Sequence, residues 1–212
     1  MGKISIIITE CDNMEPGRNA SNISKIIPQI LALAPYRIII VMNNNSLAEN
    51  LIESNYIDNN FIYVRSKKKL GTGFSIMLAM SHVCPDDNVV ILGSDTPNIL
   101  SSTLKQLYSS YKTLDQSLFV TGMEIYIPEK GKIITDDDSN IIKIDHSGKN
   151  QSISDCGIYI TRGYILIKYV PRLMNNNRKR IYYFTDIVET YLESGERQVG
   201  LHILGHEYSN EI

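Results

Sequence analysis

An aspartate follows an apolar run in the stretch "VVILGSDTPNI", residues 89–99. The run of Val, Ile and Leu is typical of a buried strand, and open α/β sheets bind ligands beyond the carboxyl ends of their strands. Asp95 could therefore hold Mg²⁺, which takes one or two carboxylates and completes its octahedron with phosphate oxygens and water. The structural alternative is that Asp95 caps a helix that starts near Asn98, with Pro97 fixing the turn.

A pair of glycines precedes a helical pattern in "KKKLGTGFSIMLA", residues 67–79. Gly71 and Gly73 would let the backbone approach a ligand closely, and the start of the helix offers free N–H groups. The three lysines at 67–69 add positive charge beside this turn. The pattern indicates a site for nucleotide phosphates, and an ordinary strand-to-helix turn is the alternative.

Two further polar segments carry candidate chemistry. The segment "ECDNMEPGRNASNISK", residues 10–25, contains Arg18 and Lys25, which could neutralise phosphate charge. Its single glycine and its three acids are, by themselves, more typical of a solvated loop. The segment 173–195 combines an Asn triplet, a basic run and paired tyrosines. An N-cap at Thr185 or Asp186 would explain its helix start but not the Asn triplet.

The elements that must position these residues follow from the hydrophobic pattern. Short runs rich in Ile and Val recur at residues 4–8, 37–42, 61–64, 89–93 and 117–122. Continuous hydrophobicity predicts strands that are covered on both faces. Segments with helical spacing lie between them, and in the first, "SKIIPQILALA", we predict Pro28 in the first turn. This β-α-β-α rhythm predicts a doubly wound, mostly parallel sheet through about residue 115.

The second half of the chain has a different pattern. "GKIITDDDSNIIKIDHSGK", residues 131–149, has two β-like runs joined by a polar turn and predicts a hairpin. A strand that passes into a helix, a helix ending near Gly195 and a last strand, "VGLHIL", follow. We therefore predict one α/β domain over residues 1–212, with flanking helices and an inserted β-hairpin.

Composition excludes several function classes. The 212 residues include 21 basic and 23 acidic side chains, so no overall positive field attracts nucleic acid. The three cysteines, at 11, 84 and 156, are far apart and, like the four histidines, show no metal-ligand spacing, which favours reduced thiols. No run has the length of a membrane span, and the first residues lack a signal-peptide pattern. We expect a soluble, cytoplasmic protein without a nucleic-acid or membrane partner.

Taken in order, these segments resemble the pyrophosphorylase domain of bacterial N-acetylglucosamine-1-phosphate uridylyltransferase, a member of the sugar-nucleotidyltransferase family. "LGTGFSIMLA" is similar to the family's "LGTGHA", "SDTPNI" to "GDxPLI", and "DCGIYI" to "NTGIY". "NNNRKRIYYFTDIV" is very close to "NNNAQGEYYLTD", and this most specific match accounts for the Asn triplet. The resemblance covers nearly the whole chain and implies the Rossmann-like fold of the nucleotide-diphospho-sugar transferases.

The resemblance also implies an activity. It implies transfer of UMP from UTP to N-acetylglucosamine 1-phosphate with Mg²⁺ as cofactor, giving UDP-N-acetylglucosamine and pyrophosphate. A sugar-phosphate oxygen would attack the α-phosphorus in line, so that catalysis is positioning plus neutralisation of charge. The implied residues are Asp95 and, with a gap, Asn210 for the metal; Arg18 and Lys25 for the phosphates; Lys69, Gly71, Thr72 and Gly73 for the nucleotide; and Gly131, Asp155, Tyr183 and Thr185 for the sugar.

The chain departs from the family pattern at several positions. Aligned on Lys25, the opening motif "LAAGxGTRMxSxxPK" keeps Arg18 and Ser21 but loses its Ala-Ala-Gly at residues 12–14. Four single replacements are Lys69 for the Gln that recognises uracil, Ser94 for the Gly before the metal Asp, Asp155 for a sugar-contacting Asn, and Ile181 for a Glu. A second hypothesis is therefore a non-catalytic relative that binds a nucleotide, a sugar phosphate or a protein partner. The retained Asp95, Arg18 and Lys25 favour the enzyme.

Overall fold

The computed structural model describes residues 2–53, 56, 60–114, 116–128, 130–146, 153–195 and 199–211. The strands in these ranges are β1 Ile4–Thr9, β2 Arg37–Asn43, β3 Phe61–Ser66, β4 Asn88–Gly93, β5 Leu118–Met123, β6 Lys132–Thr135, β7 Ile141–Asp145, β8 Ser154–Arg162 and β9 Gly200–Leu204. The α-helices are α1 Pro16–Leu31, α2 Ala48–Glu53, α3 Thr72–Ala79, α4 Ser101–Leu114, α5 Gly163–Tyr169 and α6 Ile187–Glu193. A 3₁₀ turn, Phe184–Asp186, leads into α6.

The sheet confirms the predicted mostly parallel architecture. Its main path runs β3-β2-β1-β4-β8-β5-β9. The first four strands of this path pair in parallel, and β9 pairs in parallel with β5. Only β8, inserted between β4 and β5, runs antiparallel to both of its neighbours in this path.

The core lies on both faces of the sheet because side chains alternate along each strand. On β1, Ile6 and Ile8 pack on one face with residues of α1, α2 and α4, whereas Ile7 packs on the other with residues of α3, α5 and α6. All three isoleucines are fully buried. The continuous apolar runs therefore belong to strands covered on both sides, as the sequence predicts.

The prediction for Pro28 is wrong. Helix α1 begins at Pro16, so Pro16 occupies the first turn and Pro28 lies inside the helix. The prediction failed because Asn19 and Asn22 were assigned to a solvated loop, whereas both are buried on α1. The chain is helical from residue 16, and only residues 10–15 form the connection after β1.

The hairpin and the last helix are confirmed. Strands β6 and β7 pair antiparallel and lie off the main path, joined to it by the pairing of Lys132 with Ser154 on β8. Helix α6 ends at Glu193, and Gly195 has a φ of +75°, a conformation that glycine adopts without strain. Within the described ranges, no helix is both long enough and apolar enough to cross a membrane.

Candidate functional site

A cleft of about 560 Å³ lies beyond the carboxyl ends of β1 and β4. These strands are parallel neighbours, and Thr9 pairs with Gly93, so the connections that follow them meet at one edge of the sheet. Helix α1 contributes residues spaced three, four and seven apart, which places them on one helical face. The lining residues are Met14, Arg18, Ser21, Asn22, Lys25, Asp95, Pro97 and Asn98. Arg18, Lys25 and Asp95, predicted from separate motifs, therefore share one cleft.

The Asp95 side chain does not cap a helix. Helix α4 begins at Ser101, whose backbone N–H donates to Gln29 Oε1 at 3.0 Å, and the preceding Leu100 N–H donates to Glu211 Oε2 at 3.0 Å. The Asp95 carboxylate instead accepts a hydrogen bond from Lys130 Nζ at 2.6 Å. The capping alternative is therefore wrong, and the carboxylate lines the cleft.

Lys130 is a functional candidate that the sequence did not indicate. Its side chain is only 16% exposed, whereas that of Asp95 is 38% exposed. Burial is the largest influence on the pKa of Lys130 and lowers it, but the charge and hydrogen bond of Asp95, together with the nearby Asp155 and Cys156, outweigh burial and raise that pKa above its ordinary value. Lys130 is therefore a charged ammonium group at the acidic side of the cleft.

The connection after β1 is held by a buried acid. Glu10 is 4% exposed, and its carboxylate accepts hydrogen bonds from the backbone N–H of Asn43, at 2.8 Å, and from the Ser46 hydroxyl. The Ser46 hydroxyl oxygen also accepts from the backbone N–H of Ala48 at the start of α2. Glu10 therefore ties the end of β1 to the connection after β2, and the prediction of a solvated loop is wrong for this residue.

A second network joins the start of α1 to the residue before Asp95. The backbone N–H of Cys11 donates to Asn19 Oδ1 at 3.1 Å and to Ser94 Oγ at 3.0 Å, and the Ser94 hydroxyl also donates to Asn19 Oδ1. Asn22 Nδ2 donates to the backbone oxygen of Ser94 at 2.7 Å. Side chains thus hold the connection after β1, where the family motif has glycines. One of these side chains is Ser94.

The glycine pair packs against the chain's own backbone. Gly73 N–H donates to the Tyr182 carbonyl at 2.9 Å, and Tyr182 N–H donates to the Leu70 carbonyl at 2.7 Å. A β-carbon at Gly73 would lie 3.0 Å from the Tyr182 carbonyl oxygen. Thr72 Oγ1 accepts from Phe184 N–H at 3.4 Å. The close approach predicted for a ligand is thus occupied by the segment around Tyr182, and nucleotide binding by this turn stays a prediction.

Lys69 contacts the connection after β1. Its Nζ donates to the Asp12 carbonyl at 2.7 Å, and the Asp12 carboxylate accepts from Gly71 N–H at 2.9 Å. Burial raises the pKa of Asp12, although the bond from Gly71 and the charge of Lys69 oppose that rise. Lys69 also lines a smaller cleft of about 220 Å³ with Lys67 and Lys68, and the two clefts share Met14. A basic strip therefore adjoins the cleft that contains Asp95.

The predicted sugar residues Gly131 and Asp155 lie together. Asp155 N–H donates to the Gly131 carbonyl at 2.8 Å. The Asp155 side chain is 4% exposed, and its carboxylate accepts from the Tyr159 hydroxyl and from Gly157 N–H. Burial raises the pKa of Asp155. Its oxygens are thus bonded within the protein, and its contact with sugar stays a prediction.

The other two sugar candidates, Tyr183 and Thr185, are joined by His146, which the sequence did not single out. The rings of His146 and Tyr183 stack with centroids 4.1 Å apart, and His146 Nε2 lies 2.8 Å from Thr185 Oγ1. No side-chain cap bond is present at the start of α6 or of the 3₁₀ turn before it. Asp186 nevertheless occupies the N-cap position of α6, as the capping alternative predicted, whereas Thr185 lies inside the 3₁₀ turn and caps neither element.

The donor set at the cleft decides what metal it could hold. Among the described residues that line the cleft, Asp95 is the only acid. Asn210 is exposed and lies outside this set, and its backbone carbonyl accepts from Asn98 Nδ2 at 3.1 Å. In the part of the chain that the structure describes, no group of three or more His, Cys, Asp or Glu could hold a metal. One carboxylate fits a Mg²⁺ ion that takes most of its ligands from phosphate and water.

Sequence comparison with named proteins identifies relatives of this chain. No protein-family model matches the chain. A protein of Acanthamoeba polyphaga mimivirus assigned as a UDP-N-acetylglucosamine pyrophosphorylase is 30% identical over 200 residues, which cover 90% of this chain and 78% of that protein. The chain belongs to the sugar-nucleotidyltransferase family.

Two further comparisons bear on extent and fold. The bifunctional protein GlmU of Pseudothermotoga lettingae is 30% identical over 131 residues, which is 58% of this chain and 29% of that protein. The chain thus matches less than a third of that relative's length. A crystal structure of a Bacillus anthracis protein assigned as a glucose-1-phosphate thymidylyltransferase aligns with a TM-score of 0.73 at 17% identity, covering 95% of this chain and 87% of that chain. That likeness confirms the fold.

Proposed function

We propose that the protein transfers a nucleoside monophosphate from a nucleoside triphosphate to a sugar 1-phosphate and releases pyrophosphate. The observation that carries this proposal is the cleft in which Arg18 and Lys25 of α1 share a lining with Asp95. The mimivirus relative, named for UDP-N-acetylglucosamine, supports UTP and N-acetylglucosamine 1-phosphate as the substrates. Nucleic acid and membranes have no part in this reaction.

The two cations of α1 suit a polyanionic substrate. Arg18 and Lys25 are exposed, and neither forms an ion pair within the described ranges. The guanidinium of Arg18 can donate two parallel bonds to phosphate oxygens, whereas Lys25 supplies a compact charge. They would fix the triphosphate so that a sugar-phosphate oxygen attacks the α-phosphorus in line and pyrophosphate leaves on the opposite side. The step needs no covalent intermediate with the protein.

Asp95 is the residue that we propose to hold Mg²⁺, with Asn210 as a second ligand. When bound, Mg²⁺ neutralises charge on the phosphates and orients them. The carbonyl of Asn210 accepts from Asn98, a residue that lines the cleft, so Asn210 lies near its rim. The carboxylate of Asp95 contributes a negative charge opposite the α1 cations, which fits a cation between protein and substrate.

The remaining candidates divide between the two ends of the site. The turn 71–73 and Lys69 adjoin the basic strip and would contact the nucleoside and its phosphates. Gly131, Tyr183 and Thr185 lie towards the hairpin and would contact the sugar, because His146, immediately after β7, joins the last two. In this arrangement the α1 cations bind the phosphates that join base and sugar.

A non-catalytic nucleotide-binding relative is the second candidate function. The observation that favours it is the hydrogen bond from the Lys130 ammonium to Asp95 Oδ2, which occupies one of the two carboxylate oxygens that a metal could bind. A second departure from the family motif is that the hydrogen bond between Asn19 and Ser94 holds the connection after β1, where the motif has glycines. Either feature is compatible with a cleft that binds phosphate without transferring it.

The deciding experiment is a pyrophosphate-release assay with Mg²⁺, run over four nucleoside triphosphates and several sugar 1-phosphates. We expect release that requires both substrates, and we expect it to fall when Arg18 is replaced by Gln. The variant Lys112→Gln, which removes an exposed charge on α4, is the matched control and should retain full release. Tight triphosphate binding without any pyrophosphate release would establish the non-catalytic function instead.

A further inference from the structure

We propose that Lys130 is a built-in counter-ion of Asp95, so that a divalent cation binds this carboxylate only by displacing the lysine ammonium. The inference rests on the proposed function, because it concerns the Asp95 cleft. It assigns a role to a residue that no motif indicated. The structural basis is the 2.6 Å contact between Lys130 Nζ and Asp95 Oδ2.

The backbone holds Lys130 at this position. Lys130 N–H donates to the Ile127 carbonyl at 3.1 Å, which closes a turn just before β6. Its side chain is largely buried and crosses Gly157, where a β-carbon would lie 3.5 Å from Nζ. A lysine that is fixed by a turn and buried along its stem loses less conformational entropy in holding an ion pair than a mobile surface lysine does.

The charges around the ammonium explain why it is there. Asp95 and Asp155 both interact electrostatically with Lys130, and Asp95 also acts on Asp155. Asp155 stands where the family motif has a neutral Asn, so this chain has one more carboxyl group beside Asp95. A buried acid needs a nearby partner to be tolerated, and Lys130, which interacts with both carboxyls, supplies one positive charge.

Mg²⁺ and the ammonium would compete for the Asp95 carboxylate. A Mg²⁺ ion held by Asp95 would take carboxylate oxygen as a ligand, and Lys130 Nζ already lies 2.6 Å from Oδ2 of that carboxylate. Two cations that share one carboxylate repel each other. Divalent affinity at Asp95 is therefore lower than the carboxylate alone would give, and removal of the ammonium should raise it.

The test measures Mn²⁺ binding directly, by the loss of the free-ion electron paramagnetic resonance signal, without substrates. Mn²⁺ is a suitable probe because it takes the same oxygen ligands as Mg²⁺. We expect Lys130→Gln to bind Mn²⁺ about tenfold more tightly than wild type, the effect of about 1.4 kcal/mol. Lys112→Gln, which removes an exposed charge far from the cleft, should leave binding unchanged, and Asp95→Asn in the Lys130→Gln background should abolish the gain.

A further variant, Lys130→Arg, keeps the test decisive. Lys130→Arg retains a cation at this position, so its Mn²⁺ affinity should not exceed that of wild type even if the glutamine variant is unstable. Equal Mn²⁺ binding by wild type and Lys130→Gln, including no binding by either, or tighter binding by Lys130→Arg, would overturn the inference. If the protein transfers nucleotides but Lys130→Gln does not change Mn²⁺ binding, only this inference is contradicted. If the protein is inert but Lys130→Gln shows the tenfold change, only the proposed function is contradicted.

Discussion

A β-carbon added at Gly71 would lie 2.6 Å from the carbonyl oxygen of Tyr182. Real β-carbons essentially never approach another atom this closely, and Gly71 also has a φ of +89°, which L side chains rarely adopt. The Gly-Thr-Gly turn and the Asn-rich segment are therefore two halves of one packed unit. The family resemblance lies in two separate motifs, and the structure shows that they pack against each other through backbone hydrogen bonds.

Replacing Gly71 by Ala should destabilise the protein by about 2–4 kcal/mol, because the change combines a strained φ with a clash against a backbone oxygen that cannot move freely. Urea denaturation followed by circular dichroism measures the loss. Gly17→Ala is the matched control, since nothing lies within 4 Å of its β-carbon position on α1, and it should be neutral or stabilising. Equal stability of the two variants would show that the Gly71–Tyr182 packing is not as described.

Replacing Asp95 by Asn should lower kcat by about a hundredfold or more, because the change removes the charge that we propose to hold Mg²⁺. The fold should remain, since Asp95 is partly exposed and caps no helix. Steady-state pyrophosphate release at several Mg²⁺ concentrations is the measurement. Asp86→Asn, which alters an exposed acid in the turn before β4, is the control and should behave as wild type. Unchanged turnover in Asp95→Asn would exclude a role for this carboxylate.

Lys69 should weaken selection for uracil. A Gln offers both a donor and an acceptor to the base, whereas Lys can only donate, and its Nζ is bonded to the Asp12 carbonyl. We expect wild type to show little preference for UTP over CTP, and Lys69→Gln to raise the ratio of their kcat/KM values about tenfold. Lys67→Gln removes the same charge from the same basic strip and should leave the ratio unchanged. A wild-type protein that already selects UTP strongly would place base recognition elsewhere.

Asn19 and Ser94 should be energetically coupled. Asn19→Ala removes a buried side chain that bonds the Cys11 backbone and the Ser94 hydroxyl, so we expect a loss of about 2–3 kcal/mol. In a double-mutant cycle with Ser94→Ala, measured by denaturation, the coupling should be about 1 kcal/mol or more. Asn13→Ala alters an exposed residue of the same connection and should cost little. Strictly additive losses would contradict the shared network.

Asp186 should make the protein less stable as the pH rises. Burial and the charge of Glu189 raise the pKa of Asp186 to about 6. The folded protein then holds this proton where the unfolded chain, with an ordinary pKa, has lost it, so stability falls between about pH 4 and pH 6. Because the group is partly exposed, we expect Asp186→Asn to gain only on the order of 1 kcal/mol at pH 7.5 and nothing near pH 4. Thermal unfolding across this range, with exposed Asp137→Asn as a flat control, measures the difference.

Much of the fold could be predicted because the strands are recognisable as apolar runs in the sequence. The isoleucine and valine runs that became β1 to β5 are continuous, and this pattern requires helices on both faces of a sheet. The start of α1 was missed because its first turns carry buried asparagines, whose partners are Cys11 and Ser94. Polar residues on a helix look solvated until the groups that satisfy them are known.

The candidate site was predictable only where the strand order brings motifs together. Arg18, Lys25 and Asp95 follow two strands that are parallel neighbours, so their meeting needed no knowledge of side chains. Lys130 and His146 could not be predicted in this way. Both flank the β6–β7 hairpin, and their partners depend on how that hairpin folds over the sheet, which no local pattern specifies. Glu10 was misjudged because its partners are distant in the sequence, at Asn43, the last residue of β2, and at Ser46, just after it.

The antiparallel strand β8 has a consequence for the protein as it leaves the ribosome. Among the described strands, β1 to β4 pair with one another, and only β4 also pairs with the later strand β8. The first hundred or so residues can therefore assemble their part of the sheet as they emerge from the ribosome. Strand β5 follows them, but its partners among the described strands are β8 and β9, both of which are synthesised later. Its six residues are all buried in the finished sheet, so during translation Leu118–Met123 would be an apolar strand with unpaired edges, open to pairing with other chains until β8 is made.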